Sequence, residues 1–182
     1  MSNRHNVFIS YHHTNDGYDK NEFEKSFSET YDILETKAVS DGDIDPNLKT
    51  ETIRQKIRDN FISSASVTVI LIGSETWKRK QVDWEISSSI SKTKLNARTG
   101  LLGILLPTYP RNGMSKYDPC TIPPRLYDNI ECGFAEIHNW STDPNEVQGW
   151  IHEAFNRRNK MNPDNSRDMF GQNRPSRSDG WC

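Results

Sequence analysis

An α/β fold, with a five-stranded parallel sheet and helices on both faces, is what this sequence predicts, and three observations predict it. Two apolar runs, VTVILI at 67–72 and LLGILL at 101–106, are continuous rather than alternating, the pattern of strands buried on both faces. A shorter run, NVFISY at 6–11, stops at polar residues as a buried first strand would. Between these runs lie stretches whose apolar residues recur every three or four positions, the stripe of helices laid on a sheet. Strands alternating with helices imply right-handed crossovers and parallel pairing.

Taken in order, Phe23, Phe27, Tyr31 and Leu34 predict a helix over about 18–34 after the first strand. TKAVS at 36–40 reads as a weak second strand, and DGDIDPN after it as a loop. Ile53, Ile57 and Phe61 give the second helix, which leads into the central strand at 67–72. Val82, Ile86 and Ile90 give the third, beginning shortly after the loop GSETWKRK. The proline-rich stretch 107–124 should be mostly irregular, and FAEIH at 134–138 supplies the last strand. For the final helix, Asp143 stands at the N-cap, Pro144 at the first position and Glu146 where a capping-box carboxylate belongs. Val147, Trp150, Ile151, Ala154 and Phe155 form its buried stripe. The chain thus divides into a domain over 1–159 and a C-terminal tail over 160–182, where periodicity is lost and Pro, Gly, Ser, Asn and Arg accumulate.

Five strands in this arrangement suggest a flavodoxin-like order, 2-1-3-4-5, whose ligand crevice lies outside the carboxyl ends of strands 1 and 3. The segments that follow strands 1, 2 and 3 are HHTND, DGDIDPN and GSETWKRKQVDWE, so all three crowd one edge of the sheet. Glu85 then falls in the first turns of the third helix, facing that crevice, beside an apolar stripe able to raise its pKa.

Composition narrows the function. At 182 residues and 33% hydrophobic content the chain fills one core. A net charge of −2, with scattered basic residues, disfavours nucleic-acid binding. Cys120, Cys132 and Cys182 show no CxxC or metal-ligand spacing, so neither a disulfide framework nor a zinc site is expected, and a reducing cytoplasm fits best. No apolar run reaches the roughly 20 residues of a membrane span, and the N-terminus lacks a signal-peptide core.

The remaining motifs are weighed against blander roles. Most helical glutamates are solvated, so position alone sets Glu85 apart. Trp77 and Trp84 suit core packing as well as a platform for a planar base, and Trp77, in the loop, is the more exposed candidate. His12 and His13 lack metal-ligand partners at a suitable spacing. DGDIDPNLKTET has alternate acidic positions, but Pro46 stands where a calcium loop needs glycine and Thr52 where it needs glutamate. No phosphate loop, dinucleotide fingerprint or nucleophile elbow occurs.

VFISYHH in the first strand, SSASVTVILIGSETW through the third, and the helix QVDWEI together resemble a TIR domain of the prokaryotic branch found in Thoeris anti-phage defence. The resemblance spans roughly 5–157. It implies a flavodoxin-like TIR fold and, for its enzymatic members, cleavage of the nicotinamide–ribose bond of NAD⁺ by a glutamate that matches Glu85. It also implies that Phe8, Ser10, Tyr11 and His12 line the strand-1 edge of the nucleotide pocket. Residues 41–47, including Asp43, match the mobile BB loop. Many TIR domains place an aromatic residue four positions before the glutamate; Gln81 stands there, leaving Trp84 or Trp77 to hold nicotinamide.

The chemistry implied by the resemblance needs a single carboxylate. A glycosidase generally needs a second carboxyl to protonate its leaving oxygen. Nicotinamide leaves NAD⁺ as a neutral molecule, so one carboxylate orienting the ribose and facing the developing cation suffices. Water as acceptor gives ADP-ribose, and internal attack gives a cyclic isomer. The expectation is an NAD⁺-consuming enzyme with no separate cofactor and no metal, whose nucleotide product reaches an effector protein. Homo-oligomer formation on activation is expected, and contact with nucleic acid or membrane is not. Two alternatives stay open: a non-catalytic TIR interaction module, and a nucleoside deoxyribosyltransferase-like enzyme that sets a glutamate in a similar sheet.

Overall fold

Five parallel strands lie in the order β2-β1-β3-β4-β5. The computed structural model describes residues 4–182 except 41, 42, 44, 46, 95, 114, 115, 176 and 177. The strands are β1 His5–Ser10, β2 Leu34–Lys37, β3 Val67–Ile72, β4 Gly100–Leu105 and β5 Ala135–Asn139. The helices are α1 His13–Glu24, α2 Thr50–Ile57, α3 Lys80–Ile90, α4 Pro124–Glu131 and α5 Pro144–Lys160. The order is that of the doubly wound sheet expected from the alternation of apolar runs and stripes.

The pleat of the central strands sorts side chains onto two faces. Val67, Val69 and Leu71 of β3 join Phe23, Phe27, Val147, Ile151 and Ala154 in a cluster with α1 and α5. Ile70 and Ile72 point the other way, to Val82, Ile86, Ile90 and Leu126 of α3 and α4. Thr68, on that second face, is satisfied by Ser89 Oγ at 2.9 Å and Thr99 Oγ1 at 2.8 Å. A third cluster joins Phe8 of β1 to Val39, Ile53, Ile57, Ile62 and Trp84. At Gly100 an added Cβ would lie 2.2 Å from the Ala154 carbonyl oxygen, so glycine lets α5 pack closely on β4.

Several elements differ from expectation. The first helix does not run on to Leu34: α1 gives way to a π-helical stretch at Lys25–Thr30, and Asp32 takes a positive φ of 52° that ends it. Leu34 is buried as the first residue of β2, and Tyr31 is exposed. After α2, a π-helical stretch at Arg58–Ile62 puts Ile62, not Phe61, among the buried residues. The widened i→i+5 turn shifts the inward position by one residue. α4 was not foreseen; it begins at Pro124, the last residue of the proline-rich stretch, which opens it at the position where a missing N–H costs nothing.

At α5 the Asp143 side chain accepts from the Asn145 amide as expected. Glu146 does not close the capping box directly. Its Oε2 accepts from Ser141 Oγ at 2.6 Å, and Ser141 Oγ accepts from the Asp143 amide at 3.0 Å, so the hydroxyl relays the contact.

The cysteine expectation is overturned: Cys120 and Cys182 form a disulfide, and Cys132 is free and exposed. Their separation of 62 residues hid the pair, because only the folding of 161–182 back across α4 brings the sulfurs together. No helix among the described residues is long and apolar enough to cross a membrane.

Candidate functional site

Alternation along β1 sends Phe8 and Ser10 to the α2–α3 side of the sheet, and Ser10 is the last residue of the strand. There its Oγ donates a 2.5 Å hydrogen bond to Oε2 of Glu85 in α3. Both side chains are buried, Glu85 at 2% exposure. Burial pushes the Glu85 carboxyl up to about 8, with the Ser10 hydrogen bond opposing by favouring the charged form. At neutral pH this carboxyl is therefore mainly protonated.

Around Glu85 lies a cavity of about 20 Å³, lined by Val39, Ile53, Ile57, Lys80, Gln81, Trp84 and Glu85. That space suffices for about one water molecule. Trp84, 4% exposed, forms its wall, with Lys80 Nζ 5.0 Å from the ring centre. Phe8 belongs to the same apolar cluster as Trp84. The structure thus brings Phe8, Ser10, Trp84 and Glu85 together.

The other predicted site residues lie elsewhere around the edge. His12 caps α1, its Nδ1 accepting from the Asn15 amide at 3.2 Å, and burial followed by the Arg79 charge lowers its pKa. Tyr11 packs against the α1–α5 cluster and lies 4.6 Å from the His13 ring. Trp77, expected to be the more exposed tryptophan, is only 2% exposed, in the 3₁₀ turn Thr76–Lys78, and is not among the residues lining the Glu85 cavity. Asp43 is exposed, its Oδ2 accepts from the Ser40 amide at 2.7 Å, and it is not among the residues lining that cavity. Asp41, also placed in the loop 41–47 by the sequence, lies outside the described residues.

Sequence reasoning missed two features of the site. Asp16, 1% exposed, accepts from Thr76 Oγ1 at 3.0 Å, and Thr76 Oγ1 accepts from the Gly73 amide at 2.8 Å. Burial raises the Asp16 carboxyl to about 6. This contact pins the start of α1 to the loop after β3. Gly73 makes it possible, since a Cβ there would lie 2.2 Å from Asp16 Oδ1. The nearby GSxT pattern at 73–76 was the available signal.

The second missed feature is Asp83, which forms an ion pair with Arg125 of α4 at 2.9 Å, both nearly inaccessible. Every residue of α3 from 82 to 90 is buried, so the helix is covered on all sides. The cover on its outer side comes from the segment after α5, whose described residues form no helix or strand yet are closely tied to α3 and α4.

A larger cavity, about 750 Å³, lies elsewhere, at the ends of β4 and β5, among Tyr117, His138, Trp140 and Trp150. Its carboxylate, Glu146, is engaged by Ser141, and none of the predicted site residues lines it. Among the described residues no group of three or more His, Cys, Asp or Glu side chains is placed to hold a metal.

A flavodoxin-like sheet ordered 2-1-3-4-5, with a buried carboxyl beside the switch point between β1 and β3, defines a TIR-like α/β domain. The chain belongs to the family described as Thoeris protein ThsB, TIR-like domain, whose family model matches residues 8–111, more than half of its length. That match begins at Phe8 within β1, runs through β4, includes the Ser10–Glu85 pair, and stops before α4 and Cys120. Among solved structures the chain is similar to one titled "Crystal Structure of iL-17 receptor B SEFIR domain". The two share 12% identity at a TM-score of 0.44, covering 85% of this chain and 99% of that one. No curated protein matches the chain.

Proposed function

We propose that this Thoeris TIR-like domain cleaves the nicotinamide–ribose bond of NAD⁺ at Glu85 and produces an ADP-ribose-type signal nucleotide, in cyclic form, for anti-phage defence. The observation that carries the reading is the Ser10–Glu85 hydrogen bond inside an apolar cavity beside the switch point of the sheet. A carboxyl held there is shielded from water and positioned by a neighbouring hydroxyl, as a group serving one charge-separating step requires.

The resting carboxyl is neutral because it is buried. NAD⁺ brings its own remedy: a pyridinium cation at van der Waals distance favours the ionised form, so the carboxyl releases its proton to solvent as the substrate enters. The carboxylate then faces the positive charge that develops on the ribose as nicotinamide departs. Trp84 offers an aromatic wall for the leaving ring, and Ser10 keeps the carboxylate oriented. NAD⁺ acts as substrate, with no further cofactor, and the product reaches a separate effector protein.

Incubating wild type and Glu85→Gln with NAD⁺, while following nicotinamide and every adenine-containing product by mass, tests this. Release by wild type and a loss of at least about 100-fold in the variant is the expected result, in line with removal of a principal electrostatic group. Product mass distinguishes cyclisation from hydrolysis. Equal silence from both proteins, with self-association intact, would leave the interaction module as the function. Turnover of deoxynucleosides alone would point to the transferase.

A further inference from the structure

Four hydrogen bonds tie α3 and the turn before it to the segment that follows α5. Trp84 Nε1 donates to the Phe170 carbonyl oxygen at 2.8 Å, and the Phe170 amide donates to Asp83 Oδ2 at 2.9 Å. The Lys80 amide donates to Asn173 Oδ1 at 2.9 Å, and the Arg174 amide to the Lys78 carbonyl oxygen at 2.8 Å. Met169 packs on the apolar cluster that contains Trp84. The indole that walls the Glu85 cavity is therefore backed by residues 169–174. A pocket of about 20 Å³ admits no nucleotide, so Trp84 or the α2 edge must yield before one enters.

Further along, the same segment is anchored to α4 and the turn before it. Arg125 Nη1 donates to Asn165 Oδ1 at 2.7 Å, and Arg167 forms a two-point pair with Asp128 at 2.7 and 2.8 Å. The Trp181 amide and indole donate to the carbonyl oxygens of Cys120 and Ile122, each at 2.9 Å. Cys182 then joins Cys120 covalently. Cys182 is exposed and Cys120 half-buried, so the bridge stands at the surface where a thiolate can reach it.

We propose that 161–182 is a strap that holds Trp84 closed over Glu85, and that the Cys120–Cys182 disulfide is a thiol–disulfide exchange site whose reduction by a dithiol releases it. In that exchange a thiolate of the dithiol attacks the exposed Cys182 sulfur, the Cys120–Cys182 bond breaks, and Cys120 leaves as a thiolate that takes up a proton. The second thiol of the reductant then attacks the mixed disulfide, freeing Cys182 as a thiol. Two electrons and two protons pass to the protein, and the dithiol becomes a disulfide. Opening the bridge returns freedom to a 62-residue span and removes the covalent hold on the strap. Its bearing on catalysis rests on the function proposed above, but the motion of Trp84 does not.

The experiment uses the full chain in three forms: oxidised, treated with dithiothreitol, and Cys182→Ser. Hydroxyl-radical labelling of Trp84 reads the wall, with Trp150 as reference, and hydrogen exchange in 78–90 and 165–174 reads the strap. Nicotinamide release is measured alongside. Reduction should raise Trp84 labelling severalfold and speed exchange in both segments, while β3 and β4 stay protected. Cys182→Ser should show the same without reductant and no further change with it. Unchanged Trp84 labelling, or loss of protection throughout the sheet, would overturn the strap. Trp84 opening without nicotinamide release would uphold it and count against NAD⁺ cleavage instead.

Discussion

Ser10 Oγ and Glu85 Oε2 lie 2.5 Å apart although 75 positions separate them in the chain, joining the end of the first strand to the middle of α3. The hydroxyl donates, which favours the ionised carboxyl, while burial disfavours it more strongly. Ser10→Ala removes the opposing influence alone. The Glu85 titration midpoint should then rise above about 8, as read by carboxyl carbon-13 shifts in glutamate-labelled protein; a lower midpoint would contradict the assignment.

The same carboxyl makes stability depend on pH. Glu85 titrates near 4.5 when unfolded and near 8 when folded, and Asp16 near 3.8 and 6. Between these values the folded chain holds protons that the unfolded chain has released. Their contribution is complete below about pH 4 and declines as pH rises through 6 and 8. Glu85→Gln should flatten the upper part of that decline and gain on wild type by an amount on the order of a few kcal/mol between pH 5 and 8.5. Urea unfolding at both pH values measures it.

Gly73→Ala sets a methyl group against Asp16. The carboxyl must turn away from Thr76, leaving a buried acceptor unpaired, at a cost of about 2–4 kcal/mol. Coupling to Asp16→Ala should be strongly non-additive, because the second change removes the atoms the methyl meets. Denaturant midpoints of the two single variants and the double variant give the coupling directly.

Asp83→Ala strands Arg125, which is fully buried, and deprives the Phe170 amide of its acceptor. A loss of about 3–5 kcal/mol is expected. Adding Arg125→Met should recover only part of it, since Arg125 also donates to Asn165 and to the Asp168 carbonyl oxygen. Thermal or denaturant unfolding of the pair of variants decides this.

The legible parts of the sequence were those with a period. VTVILI and LLGILL declared the sheet's centre because only strands covered on both faces dispense with polar residues, and the strand order followed from their alternation with helices. Glu85 was legible through its place after β3 and its family resemblance. The apolar stripe beside it already pointed to a raised pKa, but the extent of its burial was not legible, because Val39, Ile53 and Ile57 come to it from distant positions in the chain. The π-helical stretches at 25–30 and 58–62 were invisible because nothing in a stripe of Ile and Phe marks a turn that widens by one residue. Nothing in the sequence set Asp83 apart; only Arg125, 42 residues on, accounts for its burial.

The smallness of the cavity beside Glu85 carries a kinetic consequence. A site with room for one water is not an open receptor, and any larger ligand must wait for a minor conformation. Observed binding rates should therefore level off with ligand concentration at the rate of opening. Apparent affinity falls in proportion to the open fraction, so a site open about 1% of the time binds about a hundredfold more weakly than its contacts alone allow. For a ligand that enters such a site, a change in the opening equilibrium sets sensitivity without altering a single ligand contact.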